Sequence, residues 1–203
     1  MLFRSTARRS RRGFGGTLWK TDAFLSAHPF GTVPAAFTAD GTGVFESNSI
    51  LRAVARSGDD PPLYGRNRSE ASRIDSFLDA NLVFAREAQV YLLALPKGEA
   101  TLSHYDRMAG AYEFYLSGVE AALGESEFIA GTDLSIADVS FCCDVAQFLR
   151  EGHYAERVEA LGRELVSGQM EAEFPRSHAH LMRMAEQSEF AELYRYLRWY
   201  RER

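Results

Sequence analysis

The sequence contains little cysteine, little lysine and no long apolar run. Its only cysteines, Cys142 and Cys143, are adjacent, so they cannot form a framework of long-range disulfide bonds or a CxxC metal or redox motif. We therefore expect a reducing, cytoplasmic location. No segment approaches the roughly 18 consecutive apolar residues of a membrane span, so we expect no membrane crossing.

Positive charge is concentrated at the amino terminus. The first 21 residues contain six bases and no acid, whereas the whole chain has 28 acids against 23 bases. The remainder is therefore acidic, and we do not expect nucleic acid as a partner. The Arg- and Ser-rich start is typical of a transit segment, but lysine is scarce throughout. Because the whole chain uses arginine in place of lysine, a misassigned or truncated start would also produce an Arg-rich leader.

Hydrophobic patterning predicts a small mixed part followed by a larger helical part. Apolar runs at 33–37 and 43–45 flank Asp40-Gly41 and predict a β-hairpin. The Pro- and Gly-containing segment 58–66 predicts a linker. A short amphipathic segment is predicted at 19–27, and Ser47 or Asn48 is predicted to open a helix that ends at about residue 56. Further helices are predicted at about 67–95, 105–123, 136–149, 156–166, 175–185 and 189–199.

Several chemistry-bearing patterns are explained by structure alone. His178 and His180 point to different sides of a predicted helix and have no third ligand nearby, so we expect two surface histidines and no metal site. Ser135 and Asp138 are typical of a helix capping box. Aromatic residues near the end of the chain favour packing of a terminal helix over a substrate or base-stacking surface: Tyr194, Tyr196, Trp199 and Tyr200.

Three sequence blocks occur in an order that resembles the cytosolic glutathione transferase superfamily. They are His28-Pro29-Phe30-Gly31-Thr32-Val33-Pro34, Phe45-Glu46-Ser47-Asn48-Ser49-Ile50 and Phe128–Asp138, which resemble the family patterns NPxGxVP, ESxAI and GxxxSxAD. The resemblance covers about residues 22–203 and implies an α/β domain of thioredoxin-like fold followed by an all-α domain. We assign residues 1–57 to the first, apparently truncated, domain and residues 64–203 to the second.

The resemblance implies a glutathione site in the first domain. In the family the bond between Val33 and Pro34 is cis, and the main chain of Val33 pairs with the cysteinyl part of glutathione. Ser47 opens a helix whose amino terminus receives the γ-glutamyl carboxylate, and Glu46 lies near the γ-glutamyl amine. Spacing alone favours a capping role for Ser47 and a turn role for Pro34, whereas the three-block match favours binding.

The family's thiol-activating residue has no clear counterpart here. Family members use a Tyr, Ser or Cys near the first strand, which lowers the pKa of the glutathione thiol. A β-α-β unit needs about 30 residues, and only about 20 precede the segment leading to Val33, so we expect the first strand and helix to be incomplete. Met1-Leu2-Phe3 and Ser5 are a possible remnant, but 8–12 lacks the apolar spacing of a core-facing helix. We assign no catalytic residue.

The resemblance leaves two functions open. One is a homodimeric transferase that uses glutathione as co-substrate, without a metal, to conjugate, reduce or cleave a small hydrophobic electrophile in detoxification. The electrophile is expected between the domains, against Tyr105, Met108 and Tyr112 if their helix faces the cleft. The other is a non-catalytic docking module.

The docking alternative rests on a second resemblance. The Glu46-Ser47 block, together with Leu63-Tyr64-Gly65 and Arg73-Ile74-Asp75-Ser76-Phe77, is similar to the transferase-like domain of the eukaryotic translation elongation factor gamma subunit. Asp75 matches an acid that some relatives present to a dimer partner's ligand, but a solvated helix face is the favoured interpretation.

Overall fold

The computed structural model describes residues 22–58 and 62–190 together with Leu197. The predictions about the basic leader, Ser5 and the aromatic residues Tyr194, Tyr196, Trp199 and Tyr200 lie outside the described residues. The chain divides into two compact units, Met1–Pro61 and Pro62–Arg203, which we call the amino-terminal unit and the helical unit.

The amino-terminal unit contains α1 (Asp22–Ala27), β1 (Ala35–Phe37), β2 (Gly43–Phe45) and α2 (Ser47–Arg56). The predicted hairpin is confirmed, because β1 and β2 pair antiparallel with Ala35 opposite Phe45. Its turn is closed by Gly41, whose N–H donates to the Thr38 carbonyl at 3.0 Å. Gly41 has φ +86°, a conformation that glycine adopts without a Cβ clash. Only this hairpin forms a sheet among the described residues.

The helical unit begins with two long helices, as the periodicity predicts. Asn67 caps the first of them by accepting hydrogen bonds from the N–H groups of Ser69 and Glu70, both at 3.0 Å. The helices are α3 (Arg68–Ala94), α4 (Leu102–Leu123), α5 (Ile136–Phe148), α6 (Ala155–Glu159), α7 (Met170–Glu173) and α8 (Pro175–Ala185), with 3-10 segments at Leu95–Lys97, Leu149–Tyr154 and Ser188–Phe190.

Helices α3, α4 and α5 enclose an aromatic core. Phe84 is fully buried, stacks on Tyr115 with 5.4 Å between ring centroids and meets Phe148 edge-on at 5.5 Å. Met108 and Tyr112 belong to the same core, and Tyr112 also packs edge-on against Phe174. Met108 and Tyr112 are therefore core residues, whereas the expectation from the sequence is that they, with Tyr105, contact the electrophile if their helix faces the cleft. Apolar packing inside the helical unit accounts for them.

Two segments differ from the predicted boundaries. The helix predicted over 156–166 ends at Glu159, because Gly162 has φ +69° and donates its N–H to the Glu159 carbonyl at 2.8 Å. Residues 62–66 of the predicted linker are held by the helical unit, since the Leu63 carbonyl accepts the N–H of Ile136 at 2.9 Å.

Asp75 is half-buried instead of lying on a solvated face. Its Oδ2 accepts a hydrogen bond from the Tyr64 hydroxyl at 2.7 Å. This contact joins the segment before α3 to the first turns of the helix.

A buried carboxylate connects the start of α5 to a distant loop and to α8. The predicted capping box is confirmed, since the Ser135 hydroxyl accepts the N–H of Ala137 and Asp138 Oδ2 accepts the N–H of Ser135 at 2.9 Å. Asp138 Oδ1 also accepts the N–H of Ile129 at 2.9 Å and lies 3.0 Å from His180 Nε2. His180 is therefore a buried partner of Asp138, and the prediction that it is a surface histidine is wrong.

Two general features bear on function. Within residues 22–58 and 62–190, no cluster of three or more His, Cys, Asp or Glu side chains is arranged to hold a metal ion. Each described helix is too short or too polar to cross a bilayer.

We predict that Asp138→Asn lowers the free energy of unfolding by about 2–4 kcal/mol, because the amide NH₂ replaces an acceptor of buried main-chain N–H groups. Urea denaturation at neutral pH measures the change. The matched control is Asp133→Asn, which breaks an exposed ion pair to Arg66 with 2.6 Å between Nη1 and Oδ2 and should cost less than about 1 kcal/mol. Equal losses in the two variants would contradict the structural role assigned to Asp138.

Candidate functional site

The start of α2 differs from the prediction in one respect. The N-cap residue is Glu46, and Ser47 is the first helical residue, so neither Ser47 nor Asn48 caps the helix. Glu46 has φ +67° and ψ 131°, a combination that residues with a Cβ rarely adopt. Its side chain makes no cap hydrogen bond within the part of the chain that the structure describes. The helix therefore begins with an exposed carboxylate that is not used to cap it.

The amino terminus of α2 has the general electrostatic properties that favour an anion. An α-helix leaves the N–H groups of its first turn without intrahelical acceptors and carries partial positive charge there. The main-chain bond that starts α2 runs from the Ile50 N–H to the Glu46 carbonyl, at 3.0 Å. Ser47 is exposed at this end, so its hydroxyl and N–H can reach a carboxylate from solvent.

The hairpin register brings the other predicted residues to the same place. Because Ala35 lies opposite Phe45, the next residues outward on the two strands are Pro34 and Glu46. The Val33–Pro34 bond is cis. Val33 is 58% exposed, and neither its N–H nor its C=O is hydrogen-bonded to another described residue. Val33, Pro34, Glu46 and Ser47 thus share one end of the hairpin.

His28 is a component of this site that the sequence reasoning missed. It is fully buried, stacks on Phe45 with 4.6 Å between ring centroids and meets Phe30 edge-on. Its Nε2 is hydrogen-bonded to Thr32 Oγ1 at 2.8 Å and lies 3.9 Å from Glu46 Oε1. The sequence analysis named His28 only as the first residue of the block that ends at Pro34. In the structure it also begins a turn, in which the Gly31 N–H donates to the His28 carbonyl at 2.9 Å.

The described residues offer charged and main-chain groups at one end of the hairpin, but neither of the two described cysteines is an activated thiol. Burial raises the pKa of Cys142 and of Cys143, so neither is a thiolate nucleophile at neutral pH. The hydroxyl or thiol that the resemblance requires for catalysis is not assigned to any described residue. The groups that lie at this end of the hairpin are the Glu46 carboxylate, which could accept from an ammonium, the donors at the start of α2, which could bind a carboxylate, and the N–H and C=O of Val33.

A separate depression in the helical unit is already satisfied by its own side chains. It has a volume of about 270 Å³ and lies between residues 62–66 and the loop 130–135. On its wall Arg66 pairs with Asp133, and Glu70 accepts the N–H of Arg66 at 2.7 Å. These contacts favour a structural role for the depression.

Comparison with known proteins supports the same assignment. A family model described as "Glutathione S-transferase, N-terminal domain" matches residues 15–57. Elongation factor 1-gamma 1 of Oryza sativa subsp. japonica is 30% identical over 128 residues, covering 62% of this chain and 30% of that protein. Glutathione S-transferase F9 of Arabidopsis thaliana is 28% identical over 133 residues, covering 60% of each. The chain therefore spans less than two thirds of the length of either relative.

The fold also matches solved structures. A glutathione S-transferase from Methylobacillus flagellatus KT, determined with GSH bound, superimposes with a TM-score of 0.65 at 14% identity, covering 83% of this chain and 78% of that chain. The resemblance seen in the three sequence blocks is thereby confirmed: the chain has the glutathione S-transferase fold, and its sequence is similar both to transferases and to elongation factor 1-gamma.

Proposed function

We propose that the chain binds glutathione at the end of the hairpin and uses it to conjugate, reduce or cleave a small hydrophobic electrophile. The observation that carries this proposal is the coincidence of Glu46, the exposed amino terminus of α2 and the main chain of Val33 at one end of the hairpin. Glutathione offers complementary groups: an ammonium, a carboxylate and an extended peptide.

The γ-glutamyl group accounts for the charged part of the site. Its α-carboxylate accepts hydrogen bonds from the N–H and the hydroxyl of Ser47, and its α-ammonium pairs with the Glu46 carboxylate. Glu46 is suited to this role because its carboxylate is 59% exposed and is not used to cap α2.

The cysteinyl residue accounts for the main-chain part. The N–H and C=O of Val33 pair with the cysteinyl C=O and N–H as in an added β-strand, and this pairing fixes the position of the thiol. Burial raises the pKa of Cys142 and of Cys143, so neither cysteine is proposed as the group that lowers the pKa of the glutathione thiol.

The remaining expectations belong to the same proposal. They are a homodimer, a cytoplasmic location and a role in detoxification. The relative from Methylobacillus flagellatus KT carries GSH in its structure, which supports glutathione as the co-substrate here.

A second function is a docking module of the elongation factor gamma type. It is favoured by the identity to elongation factor 1-gamma 1, which at 30% is slightly above the 28% identity to the plant transferase. Turnover distinguishes the two functions. A transferase consumes glutathione and a generic aromatic electrophile, whereas a docking module leaves both unchanged.

We predict that Glu46→Ala combined with Ser47→Ala weakens glutathione binding at least about tenfold, since one ammonium contact and one carboxylate contact are lost. Isothermal titration calorimetry measures the dissociation constant, and circular dichroism verifies that the variant is folded. The matched control is Asp40→Ala with Ser57→Ala, which removes an exposed acid and an exposed serine from the same unit. Unchanged binding in the folded double variant would refute the proposed site.

We predict that Glu46→Gly and Glu46→Ala differ in stability but not in glutathione affinity. Glycine adopts φ +67° without a Cβ clash, so this variant should be more stable than Glu46→Ala by about 1 kcal/mol. Both variants should lose the same glutathione affinity, because both lack the carboxylate. Thermal unfolding and calorimetry on the pair measure the two quantities. A Glu46→Gly variant no more stable than Glu46→Ala would show that the backbone at residue 46 is not strained.

A further inference from the structure

The carboxylate of Glu46 is exposed, but one of its neighbours is rigid. Glu46 is 59% exposed, and a solvated glutamate side chain samples many rotamers. His28, by contrast, is fully buried, stacks on Phe45 and contacts Phe30 edge-on, and this packing restricts its movement. The distance from His28 Nε2 to Glu46 Oε1 is 3.9 Å, which is within ion-pair range.

The direction of the His28 ring matters for this contact. Stacking on Phe45 fixes the ring plane, and Phe45 is the residue directly before Glu46. The same nitrogen, Nε2, faces both the Thr32 hydroxyl at 2.8 Å and the Glu46 carboxylate. An ionised carboxylate on this side favours the tautomer with the hydrogen on Nε2. That N–H donates to Thr32 Oγ1, and the Glu46 carboxylate, at 3.9 Å, is attracted to the same polarised N–H without a hydrogen bond.

We propose that His28 is a positioning residue that orients the Glu46 carboxylate toward the α-ammonium of a γ-glutamyl ligand. This inference rests on the proposed glutathione site and deepens it. His28 sets the preference of the site for peptides with a free γ-glutamyl amino group, without touching the ligand itself. Stacking on Phe45 holds the ring, and the Thr32 hydroxyl is hydrogen-bonded to the same nitrogen, Nε2, that faces Glu46.

A structural role and a positioning role have different consequences. If His28 only fills space under the site, its replacement weakens every ligand of that site equally. If it orients Glu46, its replacement selectively weakens ligands that carry the amino group. The ratio of two dissociation constants therefore separates the two roles, and global loss of affinity does not enter that ratio.

The test compares glutathione with glutaryl-cysteinyl-glycine, which is the same molecule without the γ-glutamyl amino group. The full chain should bind glutathione about tenfold or more tightly than this analogue, since a charge-assisted hydrogen bond is lost. In His28→Phe, which keeps an aromatic ring stacked on Phe45, this preference should fall at least about threefold. Isothermal titration calorimetry on both ligands measures it.

Two further variants make the result specific. His28→Gln restores a side-chain N–H near the position of Nε2 and should recover part of the preference. Thr32→Val removes the other polar partner of the ring and leaves Glu46 facing it, so the preference should stay within about twofold of the wild-type value. If His28→Phe does not fold, His28→Gln is compared with the wild type instead, and its preference for glutathione over the analogue should fall by a smaller factor.

The outcomes are distinguishable. A folded His28→Phe that binds both ligands more weakly by the same factor overturns the positioning role and leaves the glutathione site intact. Absence of glutathione binding to the wild-type chain overturns the proposed function and this inference together. A selective loss of the preference, partly recovered in His28→Gln, is the expected result.

Discussion

The connection from β2 to α2 consists of a single residue, and the candidate site depends on it. Phe45 is the last residue of the strand and Ser47 is the first of the helix, so Glu46 alone must redirect the chain. It does so with φ +67°, at a cost of about 1–3 kcal/mol for a residue with a Cβ. In return, an exposed carboxylate and the amino terminus of a helix lie side by side. A longer or more relaxed connection would separate them.

The acidic side chains of the molecule serve different purposes according to their burial. Asp138 and Glu151 are fully buried, and each accepts hydrogen bonds from main-chain N–H groups of a distant loop. Burial raises the pKa of Glu151, and hydrogen bonds from Ser167 act in the opposite direction. These two carboxylates are saturated by the chain itself, so they stabilise the helical unit and bind nothing else. Glu46, which is exposed and does not cap its helix, is the acid suited to an external ligand.

Local signals in the sequence were sufficient for much of the fold. The Asn67 cap, Gly124 after α4, the Ser135 capping box and Pro175 at the start of α8 all act within one turn of the helix that they delimit. The hairpin followed in the same way from Asp40-Gly41 between two apolar runs. The candidate glutathione residues came from the three-block resemblance, and the hairpin register then brought them together.

Features that depend on distant contacts could not be predicted in this way. His180 is buried because Asp138 accepts its hydrogen bond from another helix, and nothing near His180 in the sequence indicates this. Met108 and Tyr112 show helical spacing, but spacing does not say whether the apolar face meets a ligand or the core. His28 escaped notice because its partners, Thr32 and Glu46, meet only when the hairpin forms.

The central claim is that glutathione binds where Val33, Glu46 and the first turn of α2 meet. The most direct test is a titration of isotope-labelled protein with glutathione, followed by the main-chain amide signals in NMR spectra. The account predicts saturable shifts centred on the amides of Val33 and Ser47, with little change in the amides of α4. Absence of any shift at millimolar glutathione, or shifts confined to the helical unit, would contradict it.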